Sequence, residues 1–317
     1  MNLVACMLVG NEVELVDAAI QNAFRHGVDA FVIVETASSD GTTDILRAYA
    51  DDPRFDISFL SHDEVYSKNF INPAQVWADI VACAKSRFDA DWILRMDADE
   101  FIMTRSGSLK DLCAGCEDDA FSLERFNVLV PPSCVDLAAA AKDYETLSQL
   151  QVMACPFPNK TVMLKQNESI PLILTMVGGK TLCRAEVLHG FSPGGHAGMN
   201  ISSETLKAKK TGEAWIVHFW FTTEDRFLRK CQFIVDITQT VRTTQKGGWQ
   251  WNRWGSIADE SVESAKDEFK KQLIDQHRLE ILSQQGRIAR ADQAFDTSVE
   301  HSDAITQMHI LQLGWGN

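Results

Sequence analysis

The feature that most limits how this chain can fold is the regular alternation, over its first hundred residues, of short apolar runs with amphipathic stretches. Leu3–Val9, Phe31–Val34, Ile57–Leu60 and Trp92–Met96 are apolar runs of strand length. Between them, Glu12–His26, Thr43–Ala50 and a stretch from Pro73 to about Phe88 carry helical patterning. Leu15, Val16, Ala19 and Ala23 fall along one face of the first of these. Gly27 ends that helix, and Pro73 suits the start of the third. Strands alternating with helices predict an α/β fold on a mostly parallel sheet, with ligands bound beyond the carboxyl ends of the strands.

Past residue 100 the pattern loosens. It predicts a helix near Ser108–Cys113, strands at Ala120–Val130, 160–165, 180–183 and 214–221, and a helix over Glu224–Val241. A long polar helix is expected over 258–285, and an Ala-rich segment of open form over 133–155. We divide the chain into a core, residues 1–222 with an insertion at about 131–158, and a C-terminal helical extension, 223–317.

Charge narrows the partners. Lys and Arg number 30 against 44 Asp and Glu, for a net charge of −14. A nucleic-acid binder or a protein docked on anionic lipid needs a cationic surface, so neither is expected. A phosphate-bearing ligand then requires a local basic group or a metal ion. The N-terminus has no basic start, its apolar run is only Leu3–Val9, and no run reaches the ~20 residues of a membrane span. Of the eight cysteines, Cys113 and Cys116 form the one close pair, without the spacing of a zinc site. These features predict a cytoplasmic protein with reduced thiols and no integral membrane segment.

The chemistry concentrates in Asp97-Ala98-Asp99-Glu100, directly after the fourth apolar run. Two carboxylates one residue apart at a strand end suit a hard divalent cation, which takes oxygen ligands and bridges to phosphates. A solvated acidic turn is the alternative. Ser38-Ser39-Asp40-Gly41-Thr42 reads as turn and helix N-cap chemistry, which gives Asp40 a structural role.

Three segments together resemble the family 2-like glycosyltransferases of the GT-A fold. They are Asn11-Glu12, then Val34-Glu35-Thr36-Ala37-Ser38-Ser39-Asp40-Gly41-Thr42, then Trp92-Ile93-Leu94-Arg95-Met96-Asp97-Ala98-Asp99-Glu100-Phe101, in that family's order. They cover about the first 105 residues. A further similarity, to the subgroup with a DxDEF core, lies at Val217-His218-Phe219-Trp220 and Thr223-Glu224-Asp225-Arg226-Phe227. The resemblance implies a Rossmann-like, mostly parallel sheet flanked by helices. It implies transfer of a sugar from a nucleoside diphosphate sugar to an acceptor hydroxyl, with inversion, assisted by Mn2+ or Mg2+, in glycan or surface polysaccharide synthesis.

Carried over by position, Asp99 would bind the metal, and Asp97 the ribose or the metal. Val9, Gly10 and Asn11 would line the base pocket, and Glu12 would cap or brace the first helix. Glu35 would lie near the nucleoside where the family usually has Asp. His218 would be a third metal ligand, with His196, in a glycine-rich loop, as another candidate. An inverting transfer needs a general base; Glu224 is the nominee, although Thr222-Thr223-Glu224-Asp225 also reads as a helix cap, and Glu186 is a second carboxylate to weigh. Lys180, Arg184, Arg226 and Lys230 are basic groups that could offset a leaving diphosphate. Trp249, Trp251 and Trp254 would form either an acceptor-binding surface or a loop pinned to the core. Two other readings of Asp97-x-Asp99 are a haloacid-dehalogenase-type phosphohydrolase and a non-catalytic nucleotide-sugar-binding module. The first places its pair after the first strand, not the fourth, and the intact pair disfavours the second.

Overall fold

The four apolar runs become the parallel half of one sheet: β1 (Leu3–Val9), β2 (Ala30–Thr36), β3 (Phe55–Leu60) and β4 (Trp92–Arg95). The computed structural model describes residues 1–61, 64, 74–133, 137–158, 170–240, 249–297, 308–310 and 312–314. They fall into two units, each made of three separated stretches. The first unit is Met1–Arg125, Gly178–Ile216 and Ile237–Lys246; the second is Phe126–Val177, Val217–Asp236 and Gly247–Asn317.

The first unit holds the sheet. It adds β5 (Glu100–Thr104), β6 (Ala120–Leu123), β7 (Lys180–Arg184), β8 (Lys209–Lys210) and most of β9 (Ala214–His218). Seven strands form one sheet in the order β8-β6-β7-β4-β1-β2-β3. β1 lies between β2 and β4, parallel to both, with Val9 opposite Glu35 and Cys6 opposite Arg95. The carboxyl ends of the three strands therefore sit side by side. β7 runs antiparallel to both β4 and β6, with Leu94 opposite Leu182 and Leu123 opposite Lys180. That direction brings the first residue of β7, Lys180, level with the end of β4. The fold is thus mixed α/β with a mostly parallel central sheet.

β1 and β2 are buried along almost their whole length, as strands covered on both faces must be. On one face, helix α1 (Val16–Arg25) buries Val16, Ala19, Ile20 and Ala23. It starts later than its sequence pattern suggests: Asn11 is left-handed (φ 55°), and Glu12–Leu15 is a turn whose Leu15 and Val16 amides donate to the Glu12 carbonyl. Asn22 of α1 is buried against β5, accepting the Ile102 N–H at 2.6 Å and donating to the Ile102 carbonyl at 3.1 Å. Helix α2 is Thr42–Ala48, and α3 (Ala74–Phe88) sets Trp77, Ile80, Val81 and Ala84 in a core with Val4, Cys6, Val32, Ile93 and Phe191. Truncating Trp77, 2% exposed, to Ala would cost about 3–5 kcal/mol. The short helix α4 (Leu109–Cys113) is closed by a Ser108–Asp111 capping box.

The expected strand Ala120–Val130 is two strands, β6 and a separate Arg125–Asn127, parted at Glu124. The expected segment 160–165 lies outside the described residues, as do Cys134 and Gly247-Gly248.

The second unit is largely helical. The Ala-rich segment forms short helices at Leu137–Lys142 and Tyr144–Gln149, and the strand Gln151–Met153 pairs antiparallel with Ile288–Arg290. Helix α5 is Glu224–Thr240. The single helix expected over 258–285 is instead three: α6 (Trp249–Glu260), α7 (Val262–Lys271) and α8 (Gln276–Gln284). Internal caps divide it, since Ser261 accepts the Ser264 N–H and Asp275 the Arg278 N–H. Trp254 is 1% exposed and packs edge-on against Trp220, Phe221 and Phe227 at 5.4–5.6 Å, so it is a core anchor. The side chains of Trp249 and Trp251 lie outside the described residues. No helix among the described residues is long and apolar enough to cross a membrane.

Candidate active site at the end of strand β4

β4 leaves the sheet at Met96, whose N–H still reaches the Cys6 carbonyl, and the chain turns at once. The turn is held at both ends. The Glu100 N–H donates to the Asp97 carbonyl at 3.2 Å, and Glu100 Oε2 accepts the Asp97 N–H at 2.8 Å. Ala98, Asp99 and Glu100 are buried, while the Asp97 side chain is 31% exposed. The predicted pair is therefore a rigid turn with one carboxylate reaching the surface.

Cations surround it. Arg95 Nη2 lies 2.6 Å from Asp97 Oδ1, and Lys180 Nζ lies 2.6 Å from Asp97 Oδ2. Arg125 Nη1 is 2.6 Å from Glu100 Oε1, and Lys180 is 3.6 Å from the same oxygen. Burial pushes the Asp97 carboxyl up, but Arg95, Lys180 and Arg125 outweigh it and hold the group well below the usual carboxylate range. Arg95 also stacks on Trp77 at 4.5 Å, and Arg125 donates from Nε to the Gly178 carbonyl at 2.5 Å.

The glycine-rich loop closes over this group. Gly195 is left-handed (φ 68°), and a Cβ there would stand 2.5 Å from Arg95 Nε, so only glycine permits the approach. The next residue, the exposed His196, has Nδ1 3.1 Å from the Gly179 carbonyl.

The ends of β1 and β2 are stitched together. Asn11 N–H donates to Ser38 Oγ, and Asn11 Oδ1 accepts the Ser39 N–H at 2.8 Å. Ala37, like Asn11, is left-handed (φ 50°), an unfavourable conformation that the surrounding bonds maintain. Glu35, 2% exposed, accepts from the Ser38 N–H at 2.6 Å and from Thr43 Oγ1 at 3.1 Å. Val9, Asn11 and Glu35 are thus neighbours. Asp40 is structural, accepting from the Val13 N–H and from the Thr42 N–H and hydroxyl. The residue in the N-cap position of α2 is Gly41, not Asp40.

Of the other basic and acidic candidates, Lys180 joins the turn and Arg184 does not. Arg184 sits at the opposite end of β7, over the Trp92 ring, with Nη2 donating to the Cys116 carbonyl. Glu186 is exposed just beyond Arg184, away from Asp97. The remaining candidates belong to the second unit. There His218, 4% exposed, has Nδ1 2.9 Å from Asn127 Oδ1. Glu224 opens α5, where Thr223 Oγ1 accepts the Arg226 N–H as a cap. Arg226 is buried, donating to the Phe219 and Trp220 carbonyls, and Lys230 lies 5.9 Å from the Trp220 ring. Asp99, Glu100 and His218 are each buried, and each offers an atom that a metal ion could take.

Arg95, Arg125 and the bracing role of Glu100 were not anticipated. A charged residue inside the apolar run Trp92–Met96 was the available signal for Arg95; for Arg125 the sequence carries none.

No protein-family model and no curated protein matches the chain. Among solved structures, it is similar to residues 1–349 of TarS from S. aureus in complex with UDP, at 12% identity and a TM-score of 0.41, over 80% of this chain and 69% of that one. The same protein in complex with UDP-GlcNAc gives 14% identity and a TM-score of 0.40, over 83% and 72%. Glucosyl-3-phosphoglycerate synthase from Mycobacterium tuberculosis, in complex with Mn2+, UDP and phosphoglyceric acid, gives 11% and 0.32, over 87% and 80%. These are distant likenesses, and the residues around Asp97 carry the functional reading.

Proposed function

We propose that this protein transfers a sugar from a nucleoside diphosphate sugar to an acceptor hydroxyl, using a divalent cation. The observation that carries this reading is the buried Asp97–Glu100 turn at the carboxyl end of β4, beside the ends of β1 and β2. Ligands of α/β sheets bind at that edge. The three sequence segments that resemble family 2-like glycosyltransferases all fall there.

Asp99 offers a carboxylate oxygen of the kind a hard cation takes. Asp99 is assigned as the metal ligand on its place in the sequence motif, and Asp97, whose oxygens face Arg95 and Lys180, as the residue that orients the ribose. His218 is assigned as a further ligand on its place in the sequence motif, and His196 as an alternative one. A bound Mn2+ or Mg2+ would supply Lewis-acid stabilisation of the departing diphosphate. Val9, Asn11 and Glu35 bound the nucleoside pocket, with Glu35 fixing the Ser38–Thr43 loop from beneath. Glu224 is assigned as the base that takes the acceptor proton, for a transfer with inversion.

The test is calorimetric titration with UDP and GDP, with and without manganese. Metal should tighten binding of at least one nucleotide, Asp99→Ala should remove that gain, and His218→Ala should reduce it. If neither nucleotide binds more tightly with metal, the reading is wrong.

A further inference from the structure

The close cysteine pair takes no part in the site at the end of β4. Helix α4 ends at Cys113, and the chain reverses over Ala114 and Gly115. Ala114 has φ −66° and ψ 123°, Gly115 is left-handed (φ 66°), and the Cys116 N–H faces the Cys113 carbonyl at 3.4 Å. That is a type II turn with the two cysteines as its first and last residues. Such a turn sets its end Cα atoms less than about 7 Å apart, and a disulfide spans about 4.4–6.8 Å. Ala114 and Gly115 are exposed, and a Cβ on Gly115 would meet nothing within 4 Å, so the turn is open to a reagent from solvent.

The two thiols differ. Cys113 is 4% exposed, and burial, reinforced by the Cys116 sulfur, pushes it up to about 12. Cys116 is half-buried in a polar setting: Sγ accepts the Asp118 N–H at 3.1 Å and donates to Asp118 Oδ2 at 3.3 Å. Lys209 Nζ stands 2.8 Å from the same Asp118 oxygen, and Arg184 Nη2 donates to the Cys116 carbonyl at 2.6 Å. A partly exposed sulfur with an amide donor and two cations close by is the setting of an exchange-active thiol. Among the described residues Cys83 is the other half-buried cysteine, and burial and the Asp56 carboxylate push it up to about 11.

We propose that Cys113 and Cys116 are a thiol–disulfide exchange site, which a small-molecule disulfide such as oxidised glutathione closes into an internal disulfide. The Cys116 sulfur attacks one sulfur of the small disulfide, and the expelled thiolate takes the Cys116 proton. Cys113 then attacks the Cys116 sulfur of the mixed disulfide, and the second expelled thiolate takes the Cys113 proton. The chain gives up two electrons and two protons, and the small disulfide becomes two thiols. Arg184 lies at the opposite end of β7 from Lys180, so the pair is separate from the Asp97 turn.

The experiment treats the folded full chain with oxidised glutathione, blocks the remaining thiols with iodoacetamide, and weighs the tryptic peptides. Cleavage after Lys110 and Arg125 releases Asp111–Arg125, which carries Cys113 and Cys116 and no other cysteine. From wild type it should emerge unalkylated and lighter by two hydrogens, before Cys83 is modified, and reduced glutathione should reverse the change. Cys113→Ala, which keeps an apolar group in the buried position, should stall with glutathione on Cys116. Cys116→Ser should slow the loss of the Cys113 thiol at least about tenfold. If both thiols of wild type stay open to iodoacetamide while Cys83 reacts, or if glutathione stays on Cys116 without closure of the internal bond, the proposal fails. Closure only after denaturation also overturns it, because the fold then does not present the pair.

Discussion

Glu100→Gln is the sharpest test of the architecture at the end of β4. The side chain is fully buried and uses both oxygens: Oε1 faces Arg125 at 2.6 Å and Lys180 at 3.6 Å, and Oε2 accepts the Asp97 N–H at 2.8 Å. Glutamine has one oxygen. Whichever way the amide turns, its NH2 faces a donor, either the Arg125 guanidinium or the Asp97 amide. The substitution also strips a buried countercharge from two cations. Removing one partner of a buried ion pair costs about 3–5 kcal/mol. For a folding unit of this size each kcal/mol lowers Tm by roughly 2–4 °C, so the melt should fall by roughly 6–20 °C. Denaturant titration gives the free energy, and a double-mutant cycle with Arg125→Gln gives the coupling. The double variant should be less damaged than the sum of the singles by about 1.5 kcal/mol or more. A loss under about 1 kcal/mol, or strict additivity, would refute the claim that Glu100 braces the turn through its charge.

His26 predicts a pH dependence of stability. Burial, reinforced by the Arg25 charge, lowers its imidazole from 6.5 to about 4. The unfolded chain takes up a proton below about pH 6.5 while the folded chain resists until about pH 4. Stability should therefore fall by about 3 kcal/mol between those limits and level off below, and His26→Asn should flatten that slope in denaturant titrations. Gly195→Ala should cost at least about 2 kcal/mol, through a strained φ and a collision with Arg95, visible as a lowered Tm. Glu224→Gln, if that residue is the base, should lower turnover by about 10²–10⁴ while nucleotide binding holds. Unchanged turnover would remove Glu224 from that role.

The parallel strands were legible because buried strands announce themselves as apolar runs: Leu3–Val9 is a strand to the residue. The Asp97-x-Asp99 pair was legible because carboxylates at the end of such a run stand out. The direction of Lys180–Arg184 was not, since its pattern reports burial on both faces and a strand covered on both faces can run either way in a mixed sheet. Without that direction nothing in the sequence sets Lys180 beside Asp97, although 83 positions separate them. The three helices of 249–284 were hidden for another reason. Their boundaries are single caps, Ser261 and Asp275, in a polar stretch where Ser and Asp are unremarkable.

The same antiparallel strand affects how the chain must be made. Trp92 of β4 pairs on one side with Leu3, already synthesised, and on the other with Arg184. At ribosomal speeds of about 5–20 residues per second, the stretch between Trp92 and Arg184 takes roughly 5–20 s to appear. For that interval β4 is the open margin of a growing sheet, ready to pair with a strand from another chain. β4 is short, and Arg95 places a charge at its end. A pulse-labelled nascent chain stalled before residue 180 should therefore be the form of this protein most dependent on chaperones.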